Sequence, residues 1–323
     1  MNDLAGGAAS RPARKEVRTW LMDSRRWRHF APRPDDVVIG TSGKCGTTWM
    51  QHIVCILIFQ SPEPRDVHGL SPWLDMRMQP LEDVLDNLER QTQRRFIKTH
   101  LPMDAVPIYE GARYIHVQRD GRDAMMSWRN HVTHMQPASW DVFDRVGMMD
   151  PTIGRPAPRP ADDMAEYYAA WMTDETHDRW RDIFPAPFYF DIARTWWAER
   201  ASPNLLCVHF NDLKADLDGE MRRIAGFLGI EINEAIWPKL VEAATFASMK
   251  RHGAKWMPNA ERGFVGGHET FLHKGTNDRW RDVLSADELA LYEARVARET
   301  SPALARWLES GRLIAGDPET TPD

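Results

Sequence analysis

Three short segments hold residues whose types and spacing suit chemistry on an anion. Gly40–Trp49 reads GTSGKCGTTW. Glycines let backbone N–H groups approach an oxyanion, and a helix N-terminus adds partial positive charge. Lys44 adds a full charge, and Thr47 and Thr48 add hydroxyl donors. The residue order limits the options. A Gly-x-x-x-x-Gly-Lys-Ser/Thr loop needs a hydroxyl residue after the lysine, where this chain has Cys45. A Cys-x5-Arg cradle needs an arginine at the position of Gln51. Read alone, the segment also fits a plain strand–helix turn with an exposed lysine. Cys45 reads as a small loop residue rather than a nucleophile, although a helix N-terminus can lower a thiol pKa.

The second segment, Phe96–Pro102 (FIKTHLP), places Lys98 and His100 two residues apart at a strand end, hence on the same side. A histidine there can take a proton near neutral pH, though a lone strand-end histidine is more often structural. The third, Tyr114–Arg129 (YIHVQRDGRDAMMSWR), delivers Arg119 at the end of a strand. Ser127 follows about two turns into the next helix. An arginine fork suits phosphate. The plainer alternative is an Arg/Asp-rich helix start with ordinary surface pairs. Arg122 reads as solvated.

The elements that must position these groups are legible as runs. Asp36–Thr41, Arg95–Lys98, Arg113–Gln118 and Asn204–Phe210 read as short buried strands. Thr47–Phe59 reads as a buried helix, and Pro80–Gln93 as one with Leu81, Val84, Leu85 and Leu88 on one face. A helix opens near Asp120, and another spans Asp216–Leu228 and stops at Gly229. Alternating strands and helices predict an α/β fold with a central parallel sheet flanked by helices, where ligands sit at the carboxyl ends of strands. Residues 1–15 and 317–323 read as disordered ends around a single domain, 16–316. The Pro-rich run 151–160 reads as a long surface loop and a candidate lid.

The same segments, in the same order over most of residues 36–285, resemble cytosolic sulfotransferases that use 3′-phosphoadenosine 5′-phosphosulfate (PAPS). GKCGTTW stands where that family has PKSGTTW, so Lys44, Gly46, Thr47, Thr48 and Trp49 match while Gly43 and Cys45 depart. KTHLP matches the family signature throughout. The resemblance implies a P-loop-like fold, His100 as general base for the acceptor hydroxyl, and Lys98 as donor to the sulfonate or its bridging oxygen. Lys44 and Cys45–Trp49 would hold the 5′-phosphosulfate. Arg119, Asp123 and Ser127 meet the pattern R-x7-S with Asp four residues after the Arg, which implies Arg119 and Ser127 on the 3′-phosphate.

Phe271–Arg281 (FLHKGTNDRWR) resembles the segment RKGxxGDWK, which clasps that phosphate. Lys274, Gly275 and Trp280 match, but His273 replaces the arginine and Asp278 the second glycine. Phe210 takes the place of a tyrosine near the adenine, and Thr245–Phe246 resembles the adenine-side TSF with its threonine position at Ala244. The implied reaction is in-line sulfonate transfer to a hydroxyl of a small, partly apolar acceptor, such as a phenol, an alcohol, a steroid-like molecule or a glycolipid. The product would be adenosine 3′,5′-bisphosphate (PAP), and no metal is needed. The alternatives are a non-catalytic nucleotide-binding protein of the same fold and a P-loop kinase. The kinase would need a hydroxyl residue after the lysine and acidic Mg²⁺ ligands, a set the chain does not display.

The remaining features constrain rather than identify. With 41 Lys and Arg against 47 Asp and Glu, the net charge of −6 disfavours nucleic acid and anionic membranes as general partners. Three cysteines (Cys45, Cys55, Cys207) form no CxxC pair and suit a reducing cytoplasm. The N-terminus has no secretory pattern, and the longest apolar run, Ile53–Phe59, is too short to span a bilayer. His131 and His134 have a metal-compatible spacing, but no neighbouring acid or cysteine completes a set, so they read as solvated helix residues. Trp171, Trp180, Trp196 and Trp197 read as core with one or two left to line a pocket. The family's short dimer signature is absent at Arg281–Ala290, which leaves a homodimer open.

Overall fold

The computed structural model describes residues 9–173 and 184–323 of the chain. Trp180 lies outside them. The strands in these residues are β1 (Ala9–Arg11), β2 (Val37–Thr41), β3 (Phe96–Thr99), β4 (Ile108–Tyr109), β5 (Arg113–Gln118) and β6 (Leu205–His209). β3, β2, β5 and β6 form a four-stranded sheet in that spatial order, and every pairing is parallel.

Alternation along the strands explains why they read as continuous apolar runs, for both faces of the sheet are covered. Val37, Ile39, Ile115, Val117, Leu206 and Val208 enter one core, with Met50, Ile53, Val54 and Leu57 of the helix Thr47–Phe59. Val38, Ile97, Tyr114 and Cys207 enter the other, with Ala124, Met125 and Trp128 of the helix Gly121–Thr133 and Trp196 of the helix Ala186–Trp197. The expected helix boundaries hold closely. Asp120 caps Gly121–Thr133 by accepting from the Arg122 N–H, and Gly229 ends Leu217–Leu228 in the left-handed region at φ 66°.

The strand order decides where a ligand can sit. β2 is central, the chain leaves it to build β3 on one side, and it later builds β5 on the other. The connections therefore part above the carboxyl end of β2 and open a crevice there. Residues 42–46 follow β2, His100 follows β3, Arg119 follows β5 and Phe210 follows β6. Four strand ends thus bring four separate sequence segments to one place.

Three expectations need correction. Of the expected loose lead 1–15, residues 1–8 lie outside the described residues, and 9–15 are held, because β1 pairs antiparallel with β4 and the Arg14 and Lys15 N–H groups donate to the Asp104 carbonyl. The last residues are also held. Asp323 Oδ1 accepts from Trp197 Nε1 at 2.8 Å and from Ser301, and its other oxygen pairs with Arg200. Arg122 is 8 % exposed rather than solvated. Asp120 clasps it in a bidentate pair, and its guanidinium lies 3.9 Å from the centre of the Trp280 ring.

Close packing at the end of β2 gives a stability prediction. A Cβ on Gly40 would lie 2.1 Å from Cζ2 of Trp196. That indole is fully buried, stacks on His116 at 5.0 Å and donates to the Leu101 carbonyl, so it cannot yield. Gly40→Ala should lower stability by about 1–3 kcal/mol. Urea unfolding followed by tryptophan fluorescence would measure it, and an unchanged midpoint would show that the indole moves freely.

Candidate active site

The crevice above β2 is a cavity of about 370 Å³. Of the residues singled out in the sequence, Lys44, Gly46, Thr47, Thr48, Trp49, Lys98, His100, Arg119, Ser127, Phe210, Phe246, His273, Lys274 and Gly275 all line it. Two do not. The Cys45 side chain is fully buried, turned back toward the Gly43 carbonyl, with its thiol pushed up to about 12 by burial. Thr245 caps the helix Phe246–Arg251, its hydroxyl donating to the Glu242 carbonyl and accepting from the Ser248 N–H. It therefore does not stand in for the threonine missing at Ala244.

The loop geometry follows from two left-handed residues. Gly46 is the N-cap of Thr47–Phe59 at φ 110°, a conformation that glycine alone holds without strain. Lys44 adopts φ 64°, uncommon for a residue with a long side chain, and strain of this kind collects at ligand sites. The turn leaves the first-turn N–H groups of the helix free to point outward. Thr47 Oγ1 lies 2.6 Å from Thr41 Oγ1, which is 3.0 Å from His100 Nδ1.

His100 is held in one tautomer. Its Nδ1 lies 2.7 Å from the Thr41 carbonyl oxygen, which can only accept, so Nδ1 carries the proton. Nε2 is left as the lone-pair nitrogen of a ring that lines the cavity. Burial and the charges of Lys98 and Lys44 drive the pKa of His100 well below its ordinary value, against the Thr41 hydrogen bond that raises it. The ring is wedged edge-on between Trp73 at 4.6 Å and Phe184 at 5.4 Å.

Two cations face the same cavity. Lys44 Nζ sits 4.4 Å from the centre of the Phe271 ring and 3.3 Å from His131 Nδ1. Lys98 Nζ sits 4.4 Å from the centre of the Trp73 ring. Among the described residues no ion pair joins either lysine to a carboxylate. Desolvation brings Lys44 to about 7, with Lys98 and Arg119 adding repulsion. Lys98 falls to about 8 through desolvation, partly offset by Asp75. At the end of β5, Arg119 donates from Nε and Nη2 to Asn277 Oδ1 and from Nη2 to the Thr276 carbonyl. Its guanidinium centre stands 4.3 Å from the centre of the Phe210 ring. Trp49 meets Phe210 edge-on at 5.3 Å. Gly275, at φ 62°, lies so close to Phe246 that a Cβ would come within 2.7 Å of its ring.

An anion with a planar ring fits this set. Unpaired lysines ask for negative charge, the loop offers N–H groups, and Trp49, Phe210 and Phe246 offer ring surface. No group of three His, Cys, Asp or Glu side chains suited to a metal occurs among the described residues.

Several wall residues escaped the sequence reading. His131 is not solvated. It faces the cavity, stacked on Trp128 at 5.0 Å and packed against Phe264 at 4.5 Å. Its spacing of four from Ser127 puts both on one helix face, a signal that was available. His134 is exposed as expected. His68, Trp73, Met76, Met78, Met135 and Phe143 also line the cavity with no motif to mark them, and so does Arg279, which lies inside the segment Phe271–Arg281 but was not singled out there. Residues 151–160 contribute nothing to the wall, and this run is tied down elsewhere. The Arg155 carbonyl accepts from Trp20 Nε1, and Asp144 accepts from the Ala157 N–H.

Comparison with known proteins identifies the family. The family described as "Sulfotransferase domain" matches residues 34–300, and the chain belongs to that family. A glycolipid sulfotransferase of Mycobacterium tuberculosis is 30% identical over 312 residues, which cover 91% of this chain and 94% of that protein. Among solved structures, mouse sulfotransferase SULT7A1 complexed with PAP has a TM-score of 0.64 at 16% identity, covering 88% of this chain and 92% of that one. Retinol dehydratase in complex with androsterone and the inactive cofactor PAP has a TM-score of 0.64 at 20% identity, covering 87% of each chain.

The tautomer of His100 is directly measurable. Nitrogen-15 NMR of the free protein should show His100 protonated at Nδ1 and neutral throughout the range in which an exposed histidine titrates. A midpoint near 6.5 would contradict the geometry described here.

Proposed function

We propose that the protein transfers a sulfonate group from PAPS to the hydroxyl of an acceptor with an apolar body. One observation carries this reading. The Thr41 carbonyl fixes a neutral histidine with Nε2 free, in a cavity where, among the described residues, no carboxylate pairs with Lys44 or Lys98.

When bound, PAPS supplies an electrophilic sulfur attached to a phosphate leaving group. His100 Nε2 takes the proton of the acceptor hydroxyl as the new O–S bond forms. Lys98 faces the sulfonate and its bridging oxygen, and Lys44 with the N–H groups of residues 43–48 receives the charge left on the 5′-phosphate. Such electrostatic preorganisation is usually the largest contribution to rate in transfers of this kind. Arg119 and Ser127 hold the 3′-phosphate, and Trp49, Phe210 and Phe246 enclose the base. Lys274 and Gly275 close the nucleotide end.

The acceptor is inferred from the rest of the wall. Met76, Met78, Met135, Phe143, Phe184 and Phe264 present an apolar surface, and methionines adapt to irregular ligands. The names of the relatives point the same way, to a glycolipid and to androsterone. A lipid-like or steroid-like alcohol therefore fits this surface better than a bare sugar. A reducing cytoplasm suits three buried cysteines that form no disulfide. No helix among the described residues is long and apolar enough to cross a membrane.

Labelled PAPS tested against a panel of hydroxyl acceptors should yield a sulfated product. PAP bound without turnover of any acceptor would favour the non-catalytic alternative. His100→Ala should lower kcat by roughly 10²–10⁴-fold while leaving PAP affinity intact. Full activity in that variant would remove the base assignment. By calorimetry PAP should bind ahead of ATP, and equal affinity would refute the nucleotide assignment.

Binding should also be linked to protons. In the free protein Lys44 and Lys98 lose their charge as pH rises through about 7 and about 8. A bound anion favours the charged forms, so protons are taken up and affinity falls with rising pH, by up to about tenfold per pH unit for each lysine. Calorimetry at pH 8.5 in buffers of different ionisation enthalpy should show net uptake. Uptake of zero would mean the lysines stay charged without ligand.

A further inference from the structure

The segment His273–Arg281 reads HKGTNDRWR, against the pattern RKGxxGDWK that it resembles. The arginine of the first position has gone. Six residues later, where the pattern has an aspartate, stands Arg279. The structure brings these two departures into contact, with Arg279 Nη1 2.9 Å from His273 Nδ1. The fold of the segment makes this reach achievable. Asp278 stands where the pattern has glycine and adopts a left-handed φ of 65°, and its N–H donates to Asp123 Oδ2.

The surroundings of Arg279 argue for an anion. The side chain lines the cavity, yet its buried Nε has no hydrogen-bond partner. Asp123 is the acidic group that acts on Arg279, and it acts on Arg119 as well. Asp120 is engaged by Arg122. Asp123 Oδ1 lies 3.8 Å from Arg119 Nη2, and among the described residues no ion pair joins Arg279 to a carboxylate, so one carboxylate stands against two guanidiniums. The histidine is neutral, since burial and the neighbouring cations Arg279, Lys274 and Lys250 hold it at about 4, so its Nδ1 is free to accept and orient the guanidinium.

We propose that Arg279 binds the 3′-phosphate of the nucleotide together with Arg119, replacing the arginine absent at position 273, and that His273 is the positioning residue that aims it. The proposal rests on the PAPS reading given above. The phosphate clasp is then relocated along the segment rather than weakened.

The test compares two ligands by calorimetry, PAP and adenosine 5′-phosphate, which lacks the 3′-phosphate. Arg279→Ala should weaken PAP binding by roughly tenfold to a hundredfold, the loss of one charge-assisted contact. Binding of adenosine 5′-phosphate should be unchanged, which also reports an intact fold. Adding His273→Arg to Arg279→Ala should recover much of the PAP affinity. A preserved ratio of PAP to adenosine 5′-phosphate affinity in Arg279→Ala would overturn the proposal. If that variant binds neither ligand, Arg279→Lys decides. It keeps the charge but not the fork, so the ratio should fall, and an unchanged ratio would overturn the proposal. A wild-type protein that binds both ligands equally would instead sink the PAPS reading itself.

Discussion

The hydrogen bond between the Thr41 carbonyl and His100 Nδ1 ties the architecture to the chemistry. It exists because β2 and β3 run parallel in a register that pairs Gly40 with Thr99, so both strands end at the same level. A slip of one residue would turn Lys98 to the opposite face and move His100 away from the carbonyl. The register is in turn fixed by Val37, Val38, Ile39, Phe96 and Ile97, all fully buried in one core or the other. Packing far from the cavity thereby decides which ring nitrogen is free within it.

The cavity has an unusual balance of charge. Lys44, Lys98, Arg119 and Arg279 converge, while the acidic groups that act on them, Asp75, Asp120 and Asp123, lie behind the wall. His68 and His131 remain neutral beside the lysines, His68 held at about 3 by burial and by Lys98 and Lys44. In the free protein part of this charge is relieved by proton loss and by aromatic faces, Phe271 under Lys44 and Trp73 under Lys98. Both are weaker partners than a phosphate, so the site is poised for an anion instead of neutralised internally.

Much of this was legible in the sequence because the relevant signals are local. The helix Thr47–Phe59 and the strand Arg113–Gln118 begin and end where composition changes, and GTSGKCGTTW, KTHLP and the Arg119–Ser127 spacing each lie within one strand–loop–helix unit. What escaped depends on distant packing. Thr245 is near the right place in sequence, but a helix N-cap claims its hydroxyl. Arg122 looks solvated until Trp280 and Tyr292 are brought over it from the far end of the chain. Ala9–Arg11 lack a strand pattern of their own and become a strand only against the edge that β4 presents.

The cavity is stitched together from segments far apart in the chain. Arg119 meets Asn277 across 158 residues, and Trp49 bonds the Ala244 carbonyl across 195. During synthesis the anion loop and the histidine emerge early, and the segment that closes the nucleotide end emerges much later. Until then, the cluster of cations on the early strands faces open water, where screening keeps the repulsion small. Contacts of such long range also form late and slow the approach to the native state. A chain interrupted before Phe271 would carry the loop and the base without the ring beside Lys44 and without the segment that holds Arg119.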